Sequence, residues 1–394
     1  MELAAFRHLQ TPAGQEALAA ARARAPREVD FLSDFTQLAR RFPPEIARAA
    51  LEVAILQAEA RRKFPDGGPT YFTREALEQA SSRAVAAYRA ERYRGLGRVA
   101  DLGCSVGGDL LELARVAPAF GLDRDSLRLA LAAANLTAAG LTGDLLRADL
   151  NAPLPFAPSA ELGLFFDPAR RVDGRRLHSV ERYQPPLSRV REWLPRFPAL
   201  GVKLSPGVDL AELADYPAEV EFISLRGELK EAVLWFGPLR RGTRRATLLP
   251  GPHSLTPDDH LPPLPLAEPG AYLWEPDAAV LRAGLVKELG HQLGAAQLDA
   301  DIAYLSGDQL QETPFAQAYP ITAWFPFQLK RLRAALRERS IGQVVVKKRG
   351  SPLQPEALMR ELRLSGPNQA TVFLTHLRGR PIVLLSPRLP GAAD

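Results

Sequence analysis

The chain has 394 residues and a mass of 43.1 kDa, with 46% apolar and 24% charged residues; this excludes a disordered or fibrous protein and leaves room for roughly two or three domains. A single cysteine, Cys104, excludes a disulfide framework and a cysteine-based zinc site, and the six histidines are scattered without metal-ligand spacing. The net charge of +5 is compatible with a polyanionic partner but does not select one by itself.

Met1 to Gly14 contains no apolar core of a signal peptide, and no apolar run approaches the ~20 residues of a membrane span. The expectation is a soluble, cytoplasmic protein. Residues 1–60 predict helices: Phe31, Leu32, Phe35, Leu38 and Ala39 recur at helical spacing, as do Ile46, Ala49, Ala50, Val53 and Ala54. Pro43-Pro44 separates these runs, and Pro44 suits a first helical turn. Arg61-Arg62-Lys63 then leads into the turn Phe64-Pro65-Asp66-Gly67-Gly68, and these three cations read as plain surface. Thr73 reads as the cap of one long helix reaching Tyr93.

From Arg98 the pattern alternates. Strands are predicted at Val99–Leu102, Ala119–Leu122, Leu145–Ala148, Leu162–Phe166, Leu200–Lys203, Glu219–Ser224 and Ala232–Phe236. Helices are predicted at Asp109–Val116 and Ser126–Ala138. Alternation of this kind implies an α/β fold with a mainly parallel, doubly wound sheet. Residues 237–276 hold nine prolines and read as an edge hairpin plus loop. A helix resumes at Ala278–Leu289, and Phe327–Arg339 reads as a basic amphipathic helix. The tail predicts a strand (Gln343–Lys348), a helix (Pro355–Leu362) and two strands (Ala370–Leu377, Ile382–Leu385) around the turn Arg378-Gly379-Arg380.

The chemistry is concentrated in Val99-Ala-Asp-Leu-Gly-Cys-Ser-Val-Gly-Gly-Asp109, a strand, a small-residue turn and a helix start. Glycine there lets backbone approach a ligand, and the helix start offers N–H groups to an anion. A dinucleotide site wants G-x-G-x-x-G, which Ser105 fits poorly. A site for S-adenosylmethionine (SAM) has the form D-x-G-x-G-x-G, and Asp101, Gly103, Ser105 and Gly107 fill its four positions with one substitution. Read literally, Gly103 to Gly107 is also G-x-S-x-G, a hydrolase elbow. The helical first 97 residues and the absence of an oxyanion HGGG segment count against that reading.

Downstream spacing favours SAM. Asp123 ends the next strand 22 residues after Asp101, where a carboxylate would meet ribose hydroxyls. Asp149 follows the third strand, at the place expected for the adenine amino group. The fourth strand delivers Asp167-Pro168-Ala169-Arg170-Arg171, the expected catalytic loop. Asp167 is placed to orient or deprotonate the acceptor, with Pro168 beside it, while Arg170 and Arg171 suit a phosphate. Lys203 ends the fifth predicted strand, where a substrate contact and an ion pair are both open.

With these residues in view, the chain resembles the class I SAM-dependent methyltransferases, and within them the bacterial family with a C-terminal THUMP-like domain. The resemblance rests on Asp101 to Asp109, Phe166-Asp-Pro-Ala-Arg-Arg171, Val202-Lys-Leu-Ser-Pro206, Trp274-Glu-Pro-Asp277 and Val346-Lys-Lys-Arg-Gly350. A looser likeness to the trimethylguanosine synthases of RNA caps lies in Lys63 to Gly67 and Tyr71-Phe72-Thr73. The resemblance implies a Rossmann-like fold, SAM as cofactor, transferase activity and kinship of the C-terminal module with RNA-binding domains. It departs from base-amine methyltransferases, whose [D/N]-P-P-[Y/F/W] loop carries a stacking aromatic. Here Ala169 and Arg170 follow Asp167-Pro168, and Tyr71, Phe72 and Tyr183 are the candidates for the stacking place.

Lys330, Arg331, Arg333, Arg337, Arg339, Lys347, Lys348, Arg349, Arg378 and Arg380, ten basic residues, form an electrostatic footprint suited to phosphates. The expected organisation is a helical region (1–95), a Rossmann-like SAM-dependent methyltransferase core (96–325) and a THUMP-like α+β module (326–394). The expected activity is methylation of a nucleotide in tRNA or rRNA, with RNA as partner and neither metal nor membrane involved. A methyltransferase acting on a protein or small molecule, and a non-catalytic SAM- or RNA-binding protein, stand as alternatives.

Overall fold

The computed structural model describes residues 1–64, 70–172, 175–177 and 179–388. The chain divides into two compact units: Met1–Glu221 with Lys230–Thr243, and Phe222–Leu229 with Arg244–Asp394.

In the first unit, parallel strands β1 (Arg98–Leu102), β2 (Ala119–Asp123), β3 (Asp144–Arg147), β4 (Leu162–Phe166) and β5 (Leu200–Leu204) form the centre. β6 (Glu219–Leu225) and β7 (Glu228–Trp235) form a hairpin whose residues Phe222–Leu229 count with the second unit; β7 runs antiparallel to β5, so the order within the first unit is 3-2-1-4-5-7. Arg226 and Gly227 join β6 to β7, both with positive φ (54° and 79°), the requirement of a two-residue hairpin turn. β4 and β5 are buried at every residue, which is why they read as continuous apolar runs: both faces of the parallel sheet are covered. The order reverses between β1 and β4, and a doubly wound sheet opens its crevice beyond the carboxyl ends of the strands at that point.

Helices Leu3–Leu9, Pro12–Ala23, Phe31–Leu38 and Pro44–Lys63 form the N-terminal core, which also takes in Val106 of the glycine turn and Leu131 of the helix Ser126–Ala138. That last helix begins where Asp125 accepts hydrogen bonds from the amides of Leu127 (2.7 Å) and Arg128 (3.2 Å).

Two predicted helices break. The one expected from Thr73 to Tyr93 is Arg74–Gln79, Arg83–Ala90 and a short 3-10 turn, because Ala80 turns to extended backbone (ψ 134°). Ser81 and Ser82 follow it, and serine competes poorly for helix interiors. The helix expected over Ala278–Leu289 stops at Ala283, where Gly284 takes a left-handed cap (φ +70°), and a second helix starts at Val286. The cap-region fragment Pro65-Asp66-Gly67 lies outside the described residues.

The second unit contains two four-stranded sheets. One has the order Ala296–Asp299, Ile302–Gly307, Tyr272–Pro276, Ala316–Pro320. The other has the order Ala323–Pro326, Arg380–Pro387, Asn368–Leu377, Ile341–Lys348. Leu332 and Leu336 of the helix Leu329–Glu338, with Leu358 and Leu362 of Pro355–Leu362, bury one face of the second sheet. Leu273, Tyr304 and Tyr319 of the first sheet pack with Phe373 and Leu384 of the second. The strands from Ala296 to Pro326 are elements the periodicity does not reveal: they are short and lie among Gln, Asp and Pro.

Candidate active site

The carboxyl ends of β1 to β5 surround a cavity of about 480 Å³. Asp101, Gly103, Ser105, Asp123, Asp149, Asp167, Pro168, Arg170 and Lys203 all line it. The structure thus gathers residues up to 102 positions apart in sequence.

The glycine turn is built on left-handed backbone: Gly103 has φ +83°, Ser105 +50° and Gly107 +86°. Ser105 holds the glycine-like place because its amide donates to Asp123 Oδ2 (3.0 Å), while Asp123 Oδ1 accepts from the Asp125 amide (2.9 Å). No histidine lines the cavity among the described residues, so Ser105 lacks the base a hydrolase elbow requires. The helix after the turn is shorter than expected, Gly108–Leu113.

Asp101 is 2% exposed, and its Oδ2 has no hydrogen-bond partner among the described residues. Burial, then the charges of Asp109 and Asp167, push its carboxyl well above the usual carboxylate range; Lys203 and Arg89 offset this in part. Beneath it, buried Arg89 is clamped by Asp109 and Glu231. Burial alone would depress the guanidinium, but the two carboxylates outweigh it and keep it charged.

Asp149 is exposed and accepts from the backbone amide and side-chain amide of Asn151 (both 2.9 Å); the first of these bonds does most to hold its carboxyl below the usual range.

On the opposite wall, Lys203 Nζ donates to Asp167 Oδ2 at 2.5 Å. Burial would raise Asp167, but Lys203 and Arg170 outweigh it and hold the carboxyl below its ordinary value. Asp167 is thus an ionised acceptor already engaged by a cation, which accords with orienting a substrate group more than with storing a proton. The contact also resolves Lys203, which forms the ion pair and lines the cavity at once. The loop is fixed because Ala169 and Gln184 exchange two backbone hydrogen bonds (3.0 and 3.1 Å). Arg171 opens a two-residue strand, and its side chain lies outside the described residues.

The stacking aromatics are a correction. Tyr71 and Phe72 are buried in the helical core against Phe6 and Phe64, Tyr183 is 1% exposed, and none of the three lines the cavity. Their apolar bodies serve packing.

Sequence reasoning missed the N-terminal wall. Glu75, Gln79 and Ser81 line the cavity, and Glu75 pairs with Arg128 at 2.8 Å. The helix break described above is what turns Ser81 toward this space. Lys63, read as surface, donates to the terminal carbonyls of Leu77 (2.5 Å) and Glu78 (2.9 Å). Buried Asn135 accepts from the amides of Thr70 and Tyr71 and donates to the carbonyls of Tyr71 and Val106 (2.7–2.9 Å), tying this wall to the glycine turn. A lone polar residue in an apolar helical run is the signal that was available.

In the second unit, Lys347 Nζ meets Glu275 Oε2 at 2.6 Å and Arg349 approaches Oε1 at 3.8 Å. Lys348 is exposed and donates to the Leu353 carbonyl (3.1 Å).

The strand order, the left-handed turn after β1 and the acids closing successive strands define a Rossmann-like methyltransferase. The crystal structure of a candidate methyltransferase from Porphyromonas gingivalis W83 shares the fold with a TM-score of 0.74, over 95% of this chain and 98% of that one, at 21% identity. An uncharacterized S-adenosylmethionine-dependent methyltransferase of Mycobacterium tuberculosis, found in strains CDC 1551 and H37Rv, is 36% identical over 338 residues, covering 83% of this chain and 92% of the relative. Residues 316–388 match the THUMP domain-like family, and residues 2–62 match a domain of unknown function (DUF8688). The chain belongs to the SAM-dependent methyltransferases, with a THUMP-like domain at its C-terminal end. It is an enzyme that uses SAM.

The residues present fit this donor. The unpartnered buried oxygen of Asp101 suits an ammonium group, and Gly103 presents backbone without a Cβ to the cavity; Gly107, expected beside it, does not line the cavity, and a Cβ there would meet Ala132 at 3.4 Å.

Proposed function

We propose that this methyltransferase modifies a nucleotide in tRNA or rRNA in the cytoplasm. In this reading residues 1–95 cover the core 96–325, and residues 326–394 help to hold the substrate. The observation that carries it is the cationic face of the helix Leu329–Glu338, within the THUMP-like stretch. There Lys330, Arg331 and Arg337 are exposed while Leu332 and Leu336 are buried. Such a face suits a phosphate backbone.

Bound SAM supplies an activated methyl group on a sulfonium. The chain's contribution is to position and desolvate. Asp101 accepts the ammonium of the amino-acid end. Gly103 and Ser105 bring the backbone close, Asp123 accepts ribose hydroxyls and Asp149 meets the adenine amino group. Asp167 and Pro168 orient the acceptor atom, with Arg170 and Arg171 toward a phosphate. Lys347 and Arg349, expected as substrate contacts, are engaged by Glu275, so the exposed helix cations and Lys348 are the better candidates.

The test is transfer of labelled methyl from SAM to total RNA from a strain lacking the gene. Ribonuclease-sensitive label that disappears in Asp167→Ala supports the reading. Confirmed SAM binding without RNA label overturns it.

A further inference from the structure

Resting on the RNA reading above, we propose that the acceptor atom is a ribose hydroxyl, held by the Asp167–Lys203 pair, and not an exocyclic amine of a base. Three features of the cavity wall converge on this.

First, the wall lacks a stacking platform. Among the described lining residues the one aromatic is Phe166, fully buried against Trp193 with ring centroids 5.0 Å apart. A flipped base without a stacking partner forgoes about 1–3 kcal/mol. A ribose needs no such platform.

Second, the charge at the loop has the sign an oxygen acceptor needs. Lys203 Nζ lies 2.5 Å from Asp167 Oδ2, and Arg170 acts on the same carboxylate. An amine nitrogen gains positive charge as it takes a methyl group, and a neighbouring ammonium opposes that. A hydroxyl oxygen gains negative character as its proton departs, and the ammonium stabilises it. The balance is complete: an oxygen–methyl carbon bond forms as the sulfur–carbon bond breaks, sulfur keeps the electron pair, and the hydroxyl proton passes by Asp167 to water. Asp167 does not store that proton, since its neighbours keep it ionised.

Third, a ribose hydroxyl in RNA sits beside phosphates, and Arg170 lines the same cavity. A guanidinium there matches a phosphate oxygen pair.

In this arrangement Lys203 is a specificity-determining residue. It is 4% exposed, on a strand buried throughout, so its position is fixed by the sheet and not by a loop.

The experiment uses the full chain, methyl-labelled SAM and total RNA from a strain lacking the gene. The recovered RNA is hydrolysed in alkali, which needs a free ribose 2′-hydroxyl at each cut. Label in alkali-stable dinucleotides is the expected result. Label in mononucleotides overturns the inference and leaves the RNA reading standing. No ribonuclease-sensitive label overturns both. Lys203→Met is expected to lower kcat at saturating SAM about 100-fold, well beyond the smaller loss of SAM affinity that follows from its charge no longer favouring ionised Asp101. Lys203→Arg is expected to restore part of the rate. The kcat–pH rise should move to higher pH in Lys203→Met, since the developing oxyanion has lost its cation. A rate loss matched by an equal loss of SAM affinity, with no change in the pH profile, counts against the proposal.

Discussion

Each unit of the molecule sets a lysine against a carboxylate, and the two pairs do different work. Lys203 and Asp167 lie 2.5 Å apart on the wall of a cavity, with Asp167 about one-quarter exposed (27%). Lys347 and Glu275 lie 2.6 Å apart, but Glu275 also receives Arg349. Each cation also lies over a ring, Lys347 over Tyr319 at 5.5 Å and Arg349 over Tyr304 at 5.2 Å. On the proposal above the first pair, whose Asp167 lines the cavity, serves chemistry, while in the second both Glu275 oxygens meet cations of the chain, although Lys347 and Glu275 keep 27% and 19% exposure, and that pair suits a scaffold. The motifs Trp274-Glu-Pro-Asp and Val346-Lys-Lys-Arg-Gly, separate in sequence, are two halves of one such internal contact.

Matched substitutions break this comparison most forcefully. Lys203→Met should lower kcat about 100-fold, equivalent to about 2.7 kcal/mol, in the fraction that remains folded, while hydrogen exchange of β4 and β5 reads separately the local stability lost when Asp167 loses its cation. Lys347→Met leaves the Glu275 carboxylate with less compensation and should cost about 2 kcal/mol of local stability. It should be read as faster hydrogen exchange in Tyr272–Pro276 and Ile341–Lys348, with kcat at saturating substrate retained. If Lys347→Met instead destroys turnover in a folded protein, the scaffold assignment is wrong.

The cavity holds its own internal contrast, between Asp101 pushed up and Asp167 held down. Ionised Asp101 is the form that would hold an ammonium. SAM affinity should therefore fall as pH drops through the raised value, by up to about tenfold per pH unit, and binding should release a proton. Calorimetry in buffers of different ionisation enthalpy measures that proton. In Asp101→Asn both the proton release and the pH dependence should vanish. The sign for stability is consistent: a raised folded-state value means that protonating Asp101 relieves the buried charge, so the empty cavity gains stability as pH falls through that value. Asp167, with a lowered value, contributes stability above its unfolded value and loses it as pH falls through the folded one.

Much of this was legible in the sequence because strand-end acids and small-residue turns are local signals. β4, the helix Ser126–Ala138 and the helix Pro355–Leu362 fall on their predicted bounds. Asp101, Asp123, Asp149 and Asp167 converge as the spacing implied. What was not legible depends on partners distant in sequence. Nothing near Lys203 announces Asp167, 36 residues before it, and nothing near Lys347 announces Glu275, 72 residues before it. Asn135 satisfies backbone groups 64 and 65 residues away. Aromatic residues misled for the complementary reason: Tyr71 and Phe72 look alike as stacking platforms and as core, and only packing separates the two.

The smallest expected effect sharpens the comparison within one motif. Of Lys347, Lys348 and Arg349, only Lys348 is exposed; its contacts are the Leu353 carbonyl and Gln354 Oε1 at 3.4 Å. Strand alternation accounts for the split, since Lys347 and Arg349 share the face toward Glu275 and Lys348 takes the other. If the stretch touches RNA, Lys348 is the residue free to do so. Lys348→Ala should weaken RNA binding about threefold and flatten the slope of log affinity against log salt by about one, with hydrogen exchange of the strand unchanged. Lys347→Met should leave that slope alone, because its charge is already neutralised by Glu275 and was never paired with a phosphate. Equal slope changes in the two variants would place both lysines on the RNA and remove the distinction between an open and a closed pair.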